Sequence, residues 1–174
     1  ETPAGFRSGF VSILGRPNTG KSTLLNALVG TKVAIVADKP QTTRTSIQAV
    51  LTLPDAQVVF LDTPGIHKST TPMNRRMMEA VRAALDQRDL LLFMVDASRR
   101  PGEEDRQALD LLKKAATPAI LAVNKVDLLK DKGQILLLIE QYREMHEFAD
   151  YIPIAALTGE GLDVLKREIV SRLP

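Results

Sequence analysis

Residues 15–22 read Gly15-Arg16-Pro17-Asn18-Thr19-Gly20-Lys21-Ser22, an instance of the pattern G-x4-G-K-[S/T]. The stretch lies between an apolar run, Phe10-Val11-Ser12-Ile13-Leu14, and a segment of helical period from Lys21 to Leu28. Strand, glycine loop and helix in that order predict a phosphate-binding loop in an α/β fold. The glycines let successive backbone N–H groups turn inward around phosphate oxygens, and the helix start adds positive potential. Lys21 is expected to reach the β and γ phosphates, and the Ser22 hydroxyl to ligate Mg²⁺. Gly15, Asn18, Thr19, Gly20, Lys21, Ser22 and Thr23 are the candidate phosphate-binding residues.

Outward from this loop, apolar runs alternate with segments of helical period. Thr45 to Leu53 and Gln57 to Asp62 precede a helical stretch from Pro72 to Leu85. Leu90 to Asp96 precedes Glu103 to Ala115, Ala119 to Asn124 precedes Asp131 to His146, and Tyr151 to Ile154 precedes Gly161 to Leu173. Such alternation predicts a P-loop α/β fold: a six-stranded, mostly parallel sheet with helices on both faces. The two runs before Pro72 are joined only by Pro54-Asp55-Ala56. So short a connection demands a hairpin, hence one antiparallel strand. Thr71-Pro72 reads as a cap and first turn, and Glu103-Glu104 with Lys113-Lys114 matches the macrodipole of a helix at both ends. Met77, Val81 and Leu85 recur every four residues, as do Leu165, Ile169 and Leu173, and both stripes are expected in the core.

The 174 residues are enough for one domain with a sizeable core, and residues 1–174 are taken as a single unit. Cysteine is absent, which rules out disulfides and thiolate sites and fits a cytoplasmic setting. Interspersed charges, 23 basic and 21 acidic, give +2 and no electrostatic preference for nucleic acid. The longest apolar run, Leu90 to Val95, is too short to cross a bilayer and reads as a strand buried on both faces. A cytoplasmic location is expected, with peripheral contact with the inner membrane as the alternative. The N-terminus, ETPAGFRSG, carries no targeting pattern.

Two further motifs fall at the predicted carboxyl ends of strands, where open α/β sheets bind ligands. Asp62-Thr63-Pro64-Gly65 supplies an Asp that would hold Mg²⁺ through water and a Gly65 N–H facing the γ phosphate. Asn124-Lys125-Val126-Asp127 chooses the base. A carboxylate only accepts hydrogen bonds, so Asp127 pairs with the N1–H and exocyclic amine of guanine, whereas adenine offers no such adjacent donors. Asn124 would fix the loop and touch the base edge, and the Lys125 stem would lie along the ring face. Lys39-Pro40-Gln41-Thr42-Thr43-Arg44 offers hydroxyls toward Mg²⁺ and the γ phosphate, and Ala155-Ala156-Leu157-Thr158-Gly159 offers backbone N–H groups toward the base.

These five elements in this order resemble the translation-factor-related P-loop GTPases, and the wording Pro40-Gln41-Thr42-Thr43-Arg44, Asp62-Thr63-Pro64-Gly65-Ile66-His67 and Gly15-Arg16-Pro17-Asn18 resembles the bacterial Era GTPases over essentially the whole chain. The related Der and tRNA-modification GTPases usually carry Gly where Gln41 stands and Asp where Thr45 stands. The resemblance implies GTP hydrolysis to GDP in a molecular switch, with loops at about Ala34 to Arg44 and Gly65 to Arg76 responding to the γ phosphate. It implies Thr43 as a Mg²⁺ ligand beside Ser22 and Asp62, with Thr42 as the alternative, and a guanine contact through the backbone of Ala156. Ala155 departs from the usual Ser of relatives.

Catalysis is expected to rest on Lys21, Thr43, Gly65 and Asn18, because Ile66 stands where a Ras-type enzyme carries its water-orienting glutamine, and the resemblance to cation-dependent relatives implies that Asn18 holds K⁺. Base and loop contacts would come from Asn124, Lys125, Asp127, Ala155, Ala156 and Leu157. Era proteins also carry a KH domain that binds 16S rRNA of the small (30S) ribosomal subunit. No glycine pair spaced G-x-x-G lies in this chain, so that domain is absent from it and an isolated, monomeric GTPase domain is expected. The rival reading is a nucleotide-dependent docking module with negligible hydrolysis.

Overall fold

The computed structural model describes residues 5–30, 47–63 and 75–174. Its strands are β1 (Arg7–Leu14), β2 (Ile47–Leu53), β3 (Ala56–Leu61), β4 (Leu90–Asp96), β5 (Ala119–Asn124) and β6 (Asp150–Pro153). They form one six-stranded sheet in the order β2-β3-β1-β4-β5-β6. All neighbours are parallel except the β2–β3 hairpin, as a short connection demands; Ala56, expected in the connection, already belongs to β3, which leaves a two-residue turn at Pro54-Asp55. The helices are α1 (Lys21–Val29), α2 (Arg75–Asp86), α3 (Glu103–Lys114), α4 (Gly133–Met145) and α5 (Leu162–Ser171), with a short 3-10 turn at Val126–Leu128.

Alternation of side chains along the strands divides the core in two. One cluster joins Val11, Val58 and Phe60 of the sheet to Leu24 and Leu28 of α1 and to Leu165 and Ile169 of α5. The other joins Leu91, Phe93 and Leu121 to Val81 and Leu85 of α2, Leu109 of α3 and Tyr142 of α4. Every residue of β4 and β5 is buried, the mark of central parallel strands covered on both faces. No helix among the described residues is long and apolar enough to cross a membrane.

Helix ends follow local chemistry. At the start of α3 the Asp105 carboxylate accepts from the Gly102 N–H at 2.9 Å, and Lys113 and Lys114 close the last turn. The cap expected at Thr71-Pro72 lies outside the described residues. Of the stripe on α2, Val81 and Leu85 are buried but Met77 is 39% exposed, so the period marks the correct face while its first member stays partly in solvent.

His146 closes α4 partly buried, edge-on to Phe148 with ring centroids 4.9 Å apart. Burial lowers its pKa below 6.5, Lys113 lowers it further, and Glu147 opposes both. The neutral form is thus favoured in the folded state, and the unfolded chain binds this proton first. The contribution is intact above about pH 6.5 and is lost as pH falls through the lowered folded value. Melting curves of the wild type and His146→Gln are expected to differ least near pH 8, with the variant losing less stability between pH 6.5 and 5.

Candidate nucleotide site

The loop of residues 15–20 leaves β1 and enters α1 through two backbone positions that require glycine. Gly15 has φ 153°, and a Cβ there would lie 2.5 Å from the Met94 carbonyl oxygen. Gly20 has φ 100°, and a Cβ there would lie 2.5 Å from Asn124 Nδ2. Both approaches are closer than any side chain tolerates, so the loop is pressed against the carboxyl ends of β4 and β5. Thr19 is buried and its hydroxyl donates to the Arg16 carbonyl at 3.1 Å. Lys21 Nζ folds over the loop and donates to the carbonyls of Gly15 (2.8 Å) and Arg16 (3.2 Å). Burial lowers the Lys21 pKa, and the Asp62 charge opposes that shift.

Asn18 and Lys125 are the two non-glycine residues with positive φ among the described residues, at 68° and 70°. They are joined, since Lys125 Nζ donates to the Asn18 carbonyl at 2.9 Å and to the Asp96 carboxylate at 3.1 Å. Burial works against the charge of Asp96, but bonds from Ser98 Oγ (2.6 Å) and Ser98 N–H (2.9 Å), with Lys125, outweigh it and hold the carboxyl below its ordinary range. A β4 carboxylate thereby anchors the lysine that grips the phosphate loop.

On one side of the loop lies a cavity of about 200 Å³ lined by Gly15, Lys21, Ser22, Gln48, Asp62 and Thr63. Ser22 and Asp62 bring an alcohol and a carboxylate into it, the oxygen donors a hard cation prefers. The Thr63 hydroxyl is buried with no hydrogen-bond partner, an orphan that a bound ligand or its water shell would satisfy. The Asp62 carboxylate also accepts from the Thr63 N–H at 2.9 Å and from Gln48 Nε2 at 3.5 Å. These residues fit a Mg²⁺ ion held with several of its waters.

On the other side lies a cavity of about 240 Å³, lined by Gly20, Thr23, Asn124, Lys125, Asp127 and Leu157 among others. Asn124 is 3% exposed and engages both ends of its amide: Nδ2 donates to the Thr19 carbonyl at 2.7 Å, and Oδ1 accepts from the Ala156 N–H at 3.0 Å. Asp127 is exposed at the cavity wall, its carboxylate accessible to a base. Ala155 and Ala156 are buried and Leu157 is exposed. The Ala155 N–H donates to the Glu160 carbonyl at 2.9 Å, so in this state the amides of both alanines serve the protein.

The structure thus gathers Gly15, Asn18, Thr19, Gly20, Lys21, Ser22, Thr23, Asp62, Asn124, Lys125, Asp127, Ala155, Ala156 and Leu157 around one loop. Thr42, Thr43, Gly65 and Ile66 lie outside the described residues. Sequence reasoning missed Asp96, Gln48, Ser12 and Arg88. Asp96 was findable, because it ends β4 at the carboxyl edge of the sheet beside the expected site. Gln48 and Ser12 sit inside strands whose pattern gives no hint of their neighbours. Arg88 stands in a connection that reads as surface.

A family model described as 50S ribosome-binding GTPase matches residues 10–125. The chain is 48% identical over 169 residues to GTPase Era of Geobacter metallireducens, covering 97% of this chain and 56% of that protein. It therefore spans little more than half the length of such relatives. Among solved structures, a variant of Aquifex aeolicus Era bound to GDP·AlF4⁻ superposes with a TM-score of 0.77 at 38% identity, over 97% of this chain and 58% of the other. A structure of Era with MgGDPNP and nucleotides 1506–1542 of 16S ribosomal RNA gives the same TM-score, identity and coverage.

Proposed function

Because the chain belongs to the 50S ribosome-binding GTPase family, and within it resembles Era, we propose that it is a GTP hydrolase of the Era type. It would act as a GTP/GDP switch in maturation of 16S rRNA and the 30S subunit. The observation that carries this reading is the seating of one phosphate loop between two cavities. One holds the candidate metal and phosphate groups, and the other presents the Asp127 carboxylate to a base. The solved relatives carry MgGDPNP, or GDP with aluminium fluoride, a mimic of a phosphoryl group in transfer, and both chemistries suit this arrangement.

In the proposed site Lys21 leaves the carbonyls of Gly15 and Arg16 to meet the β and γ phosphates, while the loop amides and Thr19, Ser22 and Thr23 surround them. Ser22, Thr43 and, through water, Asp62 would hold Mg²⁺, which would supply charge neutralisation at the terminal phosphates. Gly65 reports the γ phosphate. Asp127 accepts from guanine, Lys125 lies along its face, and Asn124 holds the phosphate loop and the Ala155-Ala156-Leu157 segment in register. Ile66 neither accepts a proton nor orients water. Switch backbone groups would then position the water, Lys21 would meet the developing charge, and a K⁺ ion, if Asn18 held one, would supply further positive charge there. The chain would act as a monomer bearing the GTPase function, with rRNA contact chiefly in the further length that its relatives possess. The cytoplasm is its proposed location, and any inner-membrane contact would be peripheral.

Phosphate release from GTP, measured in Na⁺ and in K⁺, tests this reading. Wild type is expected to turn over faster in K⁺, Asn18→Ala to lose that stimulation, and Ile66→Gln to leave it in place. Tight GTP binding with no release in either salt would favour the docking module instead.

A further inference from the structure

We infer that Arg88 and Ser12 are positioning residues for the metal-side carboxylate, fastening the backbone at Leu61 and Asp62 so that Asp62 stays in the cavity it shares with Ser22. The inference rests on the GTP and Mg²⁺ reading given above. Arg88 follows α2 and is 6% exposed, an unusual place for a guanidinium. Its Nε donates to Ser12 Oγ at 2.7 Å, and its NH2 nitrogen donates to the Asp62 carbonyl at 3.1 Å. Ser12, fully buried in β1, passes its own proton to the Leu61 carbonyl at 2.8 Å.

The result is a three-part brace. The last carbonyl of β3 and the next one along the chain are both held, by a β1 hydroxyl and by a cation from the α2–β4 connection. Two consecutive carbonyls held in this way leave little freedom in the two peptides that flank Asp62 and aim its side chain. Burial lowers the Arg88 pKa while the Asp62 charge raises it, consistent with the carboxylate being the charge this cation faces. From the cavity side, Gln48 and the Thr63 N–H hold the same carboxylate. Groups that orient a metal-linked carboxylate act on metal affinity through it, and losing one costs about 10- to 100-fold. Arg88 also closes the excursion of chain that runs from Asp62 through α2, so the root of that excursion and the metal carboxylate share one fastening.

The test is the affinity of fluorescent GDP at graded Mg²⁺ for wild type, Arg88→Met, Arg88→Lys and Ser12→Ala, alongside affinity in EDTA. In Arg88→Met the Mg²⁺ needed for half of the metal-dependent tightening is expected to rise about tenfold. Arg88→Lys and Ser12→Ala should show smaller rises, with EDTA affinities within about twofold of wild type. A lowered melting temperature with an unchanged Mg²⁺ requirement would make the brace merely structural and overturn the inference. Should Arg88→Met fail to fold, Ser12→Ala decides, since it removes the acceptor of the Arg88 Nε bond and the donor to the Leu61 carbonyl while leaving the Arg88–Asp62 bond in place. A wild type whose GDP affinity ignores Mg²⁺ would sink the site reading and the inference together. A Mg²⁺-responsive wild type whose variants need no more Mg²⁺ than it does sinks the inference alone.

Discussion

Asp127→Asn is expected to lower GTP affinity by on the order of a hundredfold while gaining affinity for xanthosine triphosphate. The carboxylate is an acceptor on both oxygens, matching two adjacent donors on the guanine edge. An amide keeps one acceptor and presents an NH2 group, which clashes with the guanine N1–H or amine and pairs with the 2-carbonyl of xanthine. Asp127 is exposed at the wall of the base cavity, so the exchange leaves the buried framework untouched. Competition binding with GTP, XTP and ATP checks it, and an unchanged preference for GTP would remove Asp127 from base recognition.

The second large effect falls on Asn124. Replacing it with Ala strands the Thr19 carbonyl and the Ala156 N–H, both buried beside it and both served at 3.0 Å or less. Leaving two buried backbone groups unpaired costs about 2–4 kcal/mol, at about 1–3 kcal/mol each with partial relaxation. It also frees the phosphate loop from the base loop. Asn124→Ala is therefore expected to lower the denaturation midpoint markedly and to abolish measurable GTP binding, whereas Asp127→Asn changes specificity at nearly constant stability. Chemical denaturation of both variants distinguishes the roles, and equal stability losses would contradict them.

Much of this was legible from the sequence because its signals were local. The period-two and all-apolar runs predicted β4 and β5 to the residue, and the connection at 54–56 predicted the antiparallel hairpin. The glycine spacing at 15–20 located the loop. What stayed hidden involves partners far apart in the chain. Nothing around Arg88 says that it turns inward to Ser12, 76 positions earlier. Likewise, the Lys125–Asn18 bond spans 107 positions, and only the sheet order brings its ends together. Met77 shows the converse, a residue in correct period that is left exposed.

The strand order also sets which half of the site breathes. Asp96 and Asn124 terminate β4 and β5, whose residues are all buried, so these two supports of the base half stand on strands whose opening would expose the most apolar surface. Asp62 follows β3, next to the edge strand β2 with its alternating exposed residues. Opening of that edge requires far less apolar surface to meet water. Amide exchange is therefore expected to be faster at Leu61 and Asp62 than at Val95 and Val123, so that the metal contact would lapse without disturbing the Asp96 and Asn124 supports.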